Sequence, residues 1–581
     1  MTIANSVKRN YALTVIGLFC SLYSCQKPNI NADSEPDPFQ QAISLCFIPA
    51  GMKWDFSEGK APFLEGMDVL DFAVSTNNPE ARKYFNQGLL LAYGFNHAEA
   101  ERSFQYAATL DPDFAMAYWG QAYVLGPNYN AGMEPEHYQL AFEAIQKAKS
   151  LLTKVSAKEA AFIMAMDQRY KPEYLEDRSA LDEAYAQYMA KLWKKYPEDA
   201  EAGTLYAEAL MDLQPWDLWT KEGDPKGNTT LILEVLEEVI KKHPDHPGVH
   251  HLYIHAVEGS NNPDKGLNSA RKFDKGLTPM AGHLVHMPSH IYIRTGHYHE
   301  GTLSNLRAAK VDSLYIETCK AQGTYPLAYF PHNYHFMAGT AILEGSSKWA
   351  VFAADRLFDH LDQSLMEEEG LEVIQHFSTI PYFVRVKFGM WDEILNLSLW
   401  EKGTDYQEGI RHYALGMAYL GKGKLEYAEK ELKAIQQIIA KESLENLTIW
   451  GINSFGAIIN IASLVLEGEI LASNKKYSEA IHKLSLASEL EDKLLYNEPP
   501  DWFLSTRHHL GAVLLEAEKY KEAESVFRKD LEEFPNNGWA YYGLMLALEK
   551  SGNETEAKTA KEQFDLTWKY ADATLSSSRI K

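Results

Sequence analysis

Apolar residues in this chain recur every three to four positions along helix-length stretches, separated by Gly, Pro and short polar clusters. That period returns side chains to one face of an α-helix, and no stretch offers the sustained alternation of a half-buried strand. The helical pattern also repeats on a longer scale. From Tyr84 the chain gives Gly88, Ala100, Phe104, Ala107 and Pro112, and near its end Leu510, Gly511, Tyr520, Ala523, Phe527 and Pro535, followed by Tyr541, Leu544, Gly552 and Ala557. Between them lie Leu415, Gly416, Tyr419, Ala428 and Leu432, then Gly468, Leu471, Tyr477, Ala480, Leu484 and Ala487. Small residues where two helices approach, larger ones filling the gap and a closing proline describe a helix hairpin that buries its apolar face on the next hairpin.

This spacing resembles the tetratricopeptide repeat, whose aromatic, Gly, Ala, Phe, Ala and Pro positions recur over roughly 34 residues. The resemblance implies an all-α, tetratricopeptide-type superhelix, a right-handed solenoid of roughly nine to eleven helix pairs. Weaker copies are expected at Tyr118 with Ile145 and Ala148, at Met189 with Pro197, at Ile232 with Leu236 and Pro244, and at Gly296 with Tyr298, with inserts over 126–136 and 214–228. Residues 72–360 are expected to form a superhelix with a histidine-rich concave face, 361–405 an irregular helical connection, and 406–573 the C-terminal repeats.

The N-terminus reads as an address. Lys8 and Arg9 precede an apolar run from Tyr11 to Leu22, too short to span a bilayer comfortably and suited to a secretory signal. The run ends at Leu22-Tyr23-Ser24-Cys25, which resembles a bacterial lipoprotein signal. Residues 1–24 would then be removed and Cys25 acylated, with 25–71 holding the lipidated cysteine, a polar tether and an irregular segment. Several acyl chains on one cysteine anchor firmly. The expected location is therefore the cell envelope, tethered by lipid to the outer membrane of a Gram-negative bacterium. Cys46 and Cys319 remain, enough for one disulfide and too few for a thiolate metal site.

Charge acts by exclusion. With 56 basic against 80 acidic residues, a formal charge of −24, the chain repels phosphate backbones, so nucleic acid is not expected as a partner. No Gly-x-Ser-x-Gly elbow, Walker loop, dinucleotide glycine pattern or His-Glu-x-x-His pair is present, which favours a binding protein over an enzyme.

Twelve of the 20 histidines fall between His243 and His335. Registered on the repeat, His251 and His255 take the fifth and ninth positions of one first helix, with Glu258 at the twelfth. His283, His286 and His290 take the second, fifth and ninth of the next, and His332 and His335 the second and fifth of a third. Such spacings project each set from one helix face. In proteins of this resemblance those positions line the concave groove, which Trp119, Tyr123, Thr204 and Glu208 would continue as an aromatic and acidic wall. Imidazoles at i and i+4 can share a metal, so His251, His255, His286 and His290 are candidate ligands for zinc, copper, iron or manganese. Glu258 and Glu208 are candidate general bases. His283, His332 and His335 are expected in the groove. His250 reads as core and His97 as packing, whereas His243, His246, His297 and His299 read as solvated turn residues.

The stretches Tyr93 to Ala100, Gly126-Pro127-Asn128, Pro215-Trp216-Asp217, His251 to Glu258, His283 to Tyr292 and Tyr325 to His335 are similar to a widespread group of bacterial tetratricopeptide proteins. The resemblance implies that the histidine segments are a group feature and supplies no reaction. Three expectations follow: a scaffold holding a protein or peptide in its groove, a histidine-ligated metalloprotein, or an accessory to polysaccharide uptake or degradation, the last because the layout is similar to SusD-like glycan-binding lipoproteins and aromatics reach 12%.

Overall fold

The computed structural model describes residues 61–67, 69–319, 325–368, 370–441 and 443–581. The expected signal segment, the acylated Cys25, the tether and Cys46 lie outside the described residues. Cys319, the other half of the expected disulfide, is buried.

The described chain is an all-α superhelix of the tetratricopeptide type. Twelve helix pairs succeed one another, from Pro79–Tyr93 with His97–Leu110 to Gly538–Ser551 with Glu554–Thr567. That exceeds the expected nine to eleven because 361–405 is no irregular connection. It carries the pair Val373–Lys387 and Trp391–Asn396, and every residue of Val373–Lys387 is buried. The strand content among the described residues is a two-residue ladder, Thr448–Ile449 against Asn453–Ser454. Helix Phe455–Ser473 is long and apolar enough to cross a membrane, but it packs between Leu425–Ile439 and Tyr477–Glu491 as a core helix.

Two local devices make the repeats. A phenylalanine of the second helix sits between glycines of two consecutive first helices. A Cβ at Gly88 or Gly120 would come 2.9 or 2.4 Å from the Phe104 ring, and Gly511 and Gly543 stand in the same relation to Phe527. The turn inside eight of the twelve pairs is equally regular. One residue takes positive φ, and the N–H of the next bonds to the carbonyl five positions back, as in Asn96 to Leu91, His297 to Tyr292, Ser346 to Ala341 and Asn553 to Leu548. This is the Schellman closure, which favours glycine because a Cβ crowds the following carbonyl. Gly296, Gly345, Gly389, Gly423 and Gly552 comply, whereas Lys475, Glu518 and Phe95 adopt the same backbone with a side chain.

The first helix of the sixth pair is broken. Gly282–His286 ends at Met287 and Pro288–Thr295 begins with the proline, whose missing N–H suits a helix start. Downstream, a π-helical turn at Tyr325–Tyr329 leads into Phe330–Glu344. Both irregularities fall where the histidines lie, as such bulges often do at functional sites.

Candidate metal centre

Three helical segments carry the histidines. Helix Pro247–Glu258 presents His251, His255 and Glu258; the broken helix presents His283, His286 and His290; Phe330–Glu344 presents His332 and His335. All are buried except the half-buried His332.

The structure sorts six of them into two sets of three. Ring nitrogens of His251, His255 and His283 lie within 4.8 Å of one another, and so do those of His286, His290 and His332. The four candidate ligands His251, His255, His286 and His290 thus divide two and two, and each pair is completed by a histidine expected only to line the groove. His335 joins neither set. Its ring stacks on Phe503 at 5.2 Å, beside Phe377 and His376, with both nitrogens unpartnered.

In the first set two of the nitrogens facing away from the cluster are already committed. His251 Nδ1 donates to the Tyr93 carbonyl at 2.5 Å, and His255 Nδ1 donates to Glu258 Oε1 at 2.7 Å. The Nε2 atoms of His251, His255 and His283 are buried without any partner. Desolvation holds all three imidazoles below their ordinary range and therefore neutral. An aromatic shell closes over them. The Phe95 ring lies 4.6 Å from His251 and 5.6 Å from His283, Tyr129 and Trp216 lie 5.3 and 5.6 Å from His255, and Tyr329 lies 4.9 Å from His283. A small cavity lined by Gly94, Asn96, Gly282, Asp312 and Tyr325 reaches His283 from the other side.

In the second set, His286 Nδ1 donates to Asn305 Oδ1 at 2.6 Å, an orientation fixed by Asn305 Nδ2 donating to the Gly301 carbonyl at 2.8 Å. His290 Nδ1 donates to Glu258 Oε2 at 2.5 Å, with Glu498 Oε2 at 3.4 Å. The Nε2 atoms of His286 and His290 face each other at 2.9 Å. Burial works against a charge on His290, but the carboxylates of Glu258 and Glu498 overcome it and raise its pKa. Burial likewise opposes ionisation of Glu258, yet His290 and His255 hold its carboxyl below the usual range. Each Glu258 oxygen thus accepts from one imidazole, so the carboxylate orients two of the candidate ligands.

The remaining expected site residues lie elsewhere. Glu208 accepts from Tyr123 at 2.6 Å, in a buried network beside the ion pair of Arg169 with Asp212. Trp119 is 1% exposed, stacked on Tyr123 and edged by Phe162, so it is core and offers no face to a sugar. Thr204 is fully buried. His246, expected in solvent, is buried against Glu201 at 3.1 Å and caps Val249, because its turn packs on Tyr93. His250 is core as expected, bonded to Ser269 and the Pro244 carbonyl. Sequence reasoning missed Glu498, Asn305 and Phe95. Glu498 comes from the loop before Thr506–Glu516, and no repeat position marks it.

No family model matches the chain, and no curated protein matches it. Among solved structures it is similar to the tetratricopeptide domain of P58(IPK), at 12% identity over 84% of this chain and 92% of that one, TM-score 0.19. It is also similar to the human IFIT1 dimer with PPP-AAAA, at 14% identity over 86% and 92%, TM-score 0.29. A third similar structure is the APC/C hetero-tetramer Cut9-Hcn1, at 13% identity over 85% and 74%, TM-score 0.27.

Proposed function

We propose that this helical-repeat protein is a metalloprotein that holds a divalent transition metal at His251, His255 and His283. The observation that carries this reading is the convergence of three buried, neutral imidazoles whose Nε2 atoms lack any partner. An unpartnered buried acceptor costs about 1–3 kcal/mol, and three in one place call for an occupant. The Nδ1 bonds of His251 and His255 to a carbonyl and a carboxylate fix the tautomer that turns the Nε2 lone pair outward, as outer-shell partners of metal-bound histidines do.

Three nitrogen donors leave a coordination position free, as in catalytic rather than structural sites. Zinc, copper, iron and manganese all accept imidazole, so the donor set does not rank them. A metal bound here would polarise a water or a ligand oxygen. The chain's own residues do the rest: Glu258 and the Tyr93 carbonyl hold the imidazoles, and Phe95, Tyr129, Trp216 and Tyr329 exclude bulk water. Protein partners fit a helical-repeat scaffold; in this reading they engage surfaces other than the histidine face, whose expected groove residues are largely buried.

The test is elemental analysis of the purified full chain after reconstitution with each of the four metals, beside His251→Ala and His283→Ala. Each variant is expected to retain one equivalent less than the wild type. A wild type that retains none defeats the reading. Envelope placement through Cys25 is part of the same proposal, supported by Lys8, Arg9 and the apolar run that follows. Cell fractionation should find the wild type with membranes and Cys25→Ser released from them.

A further inference from the structure

The repeat places the two histidine sets in the same relation to the chain. The first takes the fifth and ninth positions of one helix, His251 and His255, and the second position of the next unit, His283. The second set takes the fifth and ninth positions of that next unit, His286 and His290, and the second position of the one after, His332. One set is therefore the other advanced by a single repeat. A third copy would need His335 and a partner at the ninth position, but that residue is Gly339, where a Cβ would stand 3.0 Å from Pro499. The series stops where the C-terminal loop packs down.

We propose that the second set, His286, His290 and His332, binds a second divalent transition metal ion, making a two-metal centre in which Glu258 supports one imidazole of each site. The proposal rests on the reading of the first set as a metal site. Its own support is the 2.9 Å approach of two Nε2 atoms whose Nδ1 atoms are both bonded to oxygen acceptors. That approach is an N–H···N hydrogen bond whose proton an ion displaces to solvent, and the ring nitrogens of His286, His290 and His332 converge within 4.8 Å around it. Metal–nitrogen bonds of about 2.0–2.1 Å at a tetrahedral angle set the nitrogens about 3.3 Å apart, so a small rotation of either ring accommodates an ion. His332, its ring 5.0 Å from His286 and half-buried, supplies a third donor on the side nearest solvent. The sites adjoin, with ring centroids 5.5 Å apart for His255 and His290 and 5.7 Å for His283 and His286.

The experiment is titration of the metal-free full chain with zinc chloride, read by calorimetry and by elemental analysis after gel filtration. Two equivalents are expected for the wild type, one for His286→Gln or His332→Ala, and one for His251→Gln or His283→Ala. A wild type that binds one equivalent, lost in His251→Gln and kept in His286→Gln, overturns the second site and leaves the first. One equivalent lost in His286→Gln and kept in His251→Gln overturns the first site and the pairing with it. No bound zinc overturns both. The wild-type stoichiometry decides the matter even where a variant fails to fold, and circular dichroism identifies such a variant.

Discussion

The Phe95 ring lies 4.6 Å from the imidazole of His251, carried there by a backbone with φ of 55°. The equivalent turn residue is glycine in five other repeats, because a side chain at positive φ costs about 1–2 kcal/mol. At Lys475 and Glu518 the same backbone carries an exposed side chain that contacts no site. We expect Lys475→Gly and Glu518→Gly to raise stability by about 1 kcal/mol through relief of strain. Phe95→Gly relieves the same strain but removes a buried ring, a loss of about 3–5 kcal/mol. It should lower the melting temperature and loosen metal retention, and thermal melts of the three variants side by side make the comparison.

Glu258 accepts from His255 on one oxygen and from His290 on the other. A glutamine can accept on one side only, so Glu258→Gln leaves one imidazole without its acceptor. Loss of an outer-shell carboxylate weakens metal binding by about 10–100-fold. Competition against a chromophoric chelator should show that drop. An unchanged affinity would mean that the carboxylate supports the fold and not the ligands.

Gly248 faces the Tyr93 ring, which a Cβ would meet at 2.8 Å. Helix propensity alone would favour Gly248→Ala by up to about 1 kcal/mol. The clash reverses the sign, because overpacking costs about 1–3 kcal/mol and displaces the residue whose carbonyl holds His251. Urea denaturation should therefore find Gly248→Ala less stable than the wild type.

Burial pushes the His376 imidazole down to about 3 and, with Lys387 beside it, that of His508 down to about 4, against 6.5 for a free side chain. Between pH 6.5 and those values the unfolded chain takes up protons that the folded chain refuses. Stability present above pH 6.5 is thus lost on acidification, at up to about 1.4 kcal/mol per pH unit for each group. Melting curves at pH 7.5 and 5.5 should separate, and His376→Gln should narrow the gap.

The repeat positions made the fold legible. Gly88, Phe104 and Gly511 could be read because the packing of one hairpin on the next depends on side-chain volume at fixed spacing. The pair in 361–405 was hidden because Val373–Lys387 is buried on every side with polar residues among the apolar ones, contains Pro381 and is followed by a short partner, so it shows neither amphipathic period nor repeat consensus. The histidine face was legible from i, i+3 and i+4 spacing, but spacing within a helix cannot say which neighbour completes a set. His283 and His332 joined the ligand pairs through the pitch of the superhelix, a tertiary property. Burial defeated the reading of Trp119 and His246, since a position that faces a groove in an open repeat is covered when loops fill it. Glu498 carried no signal, because its role comes from a loop that returns across the molecule.

That return has a consequence for how the protein is made. A ribosome releases the six imidazoles well before it releases Glu498 and the loop that packs Pro499 on Gly339. Repeats of this kind begin to fold from whatever length has emerged. In the proposed envelope placement the same order holds as the chain emerges on the far side of the membrane, so its histidines assemble before Glu498 and Pro499 close over them.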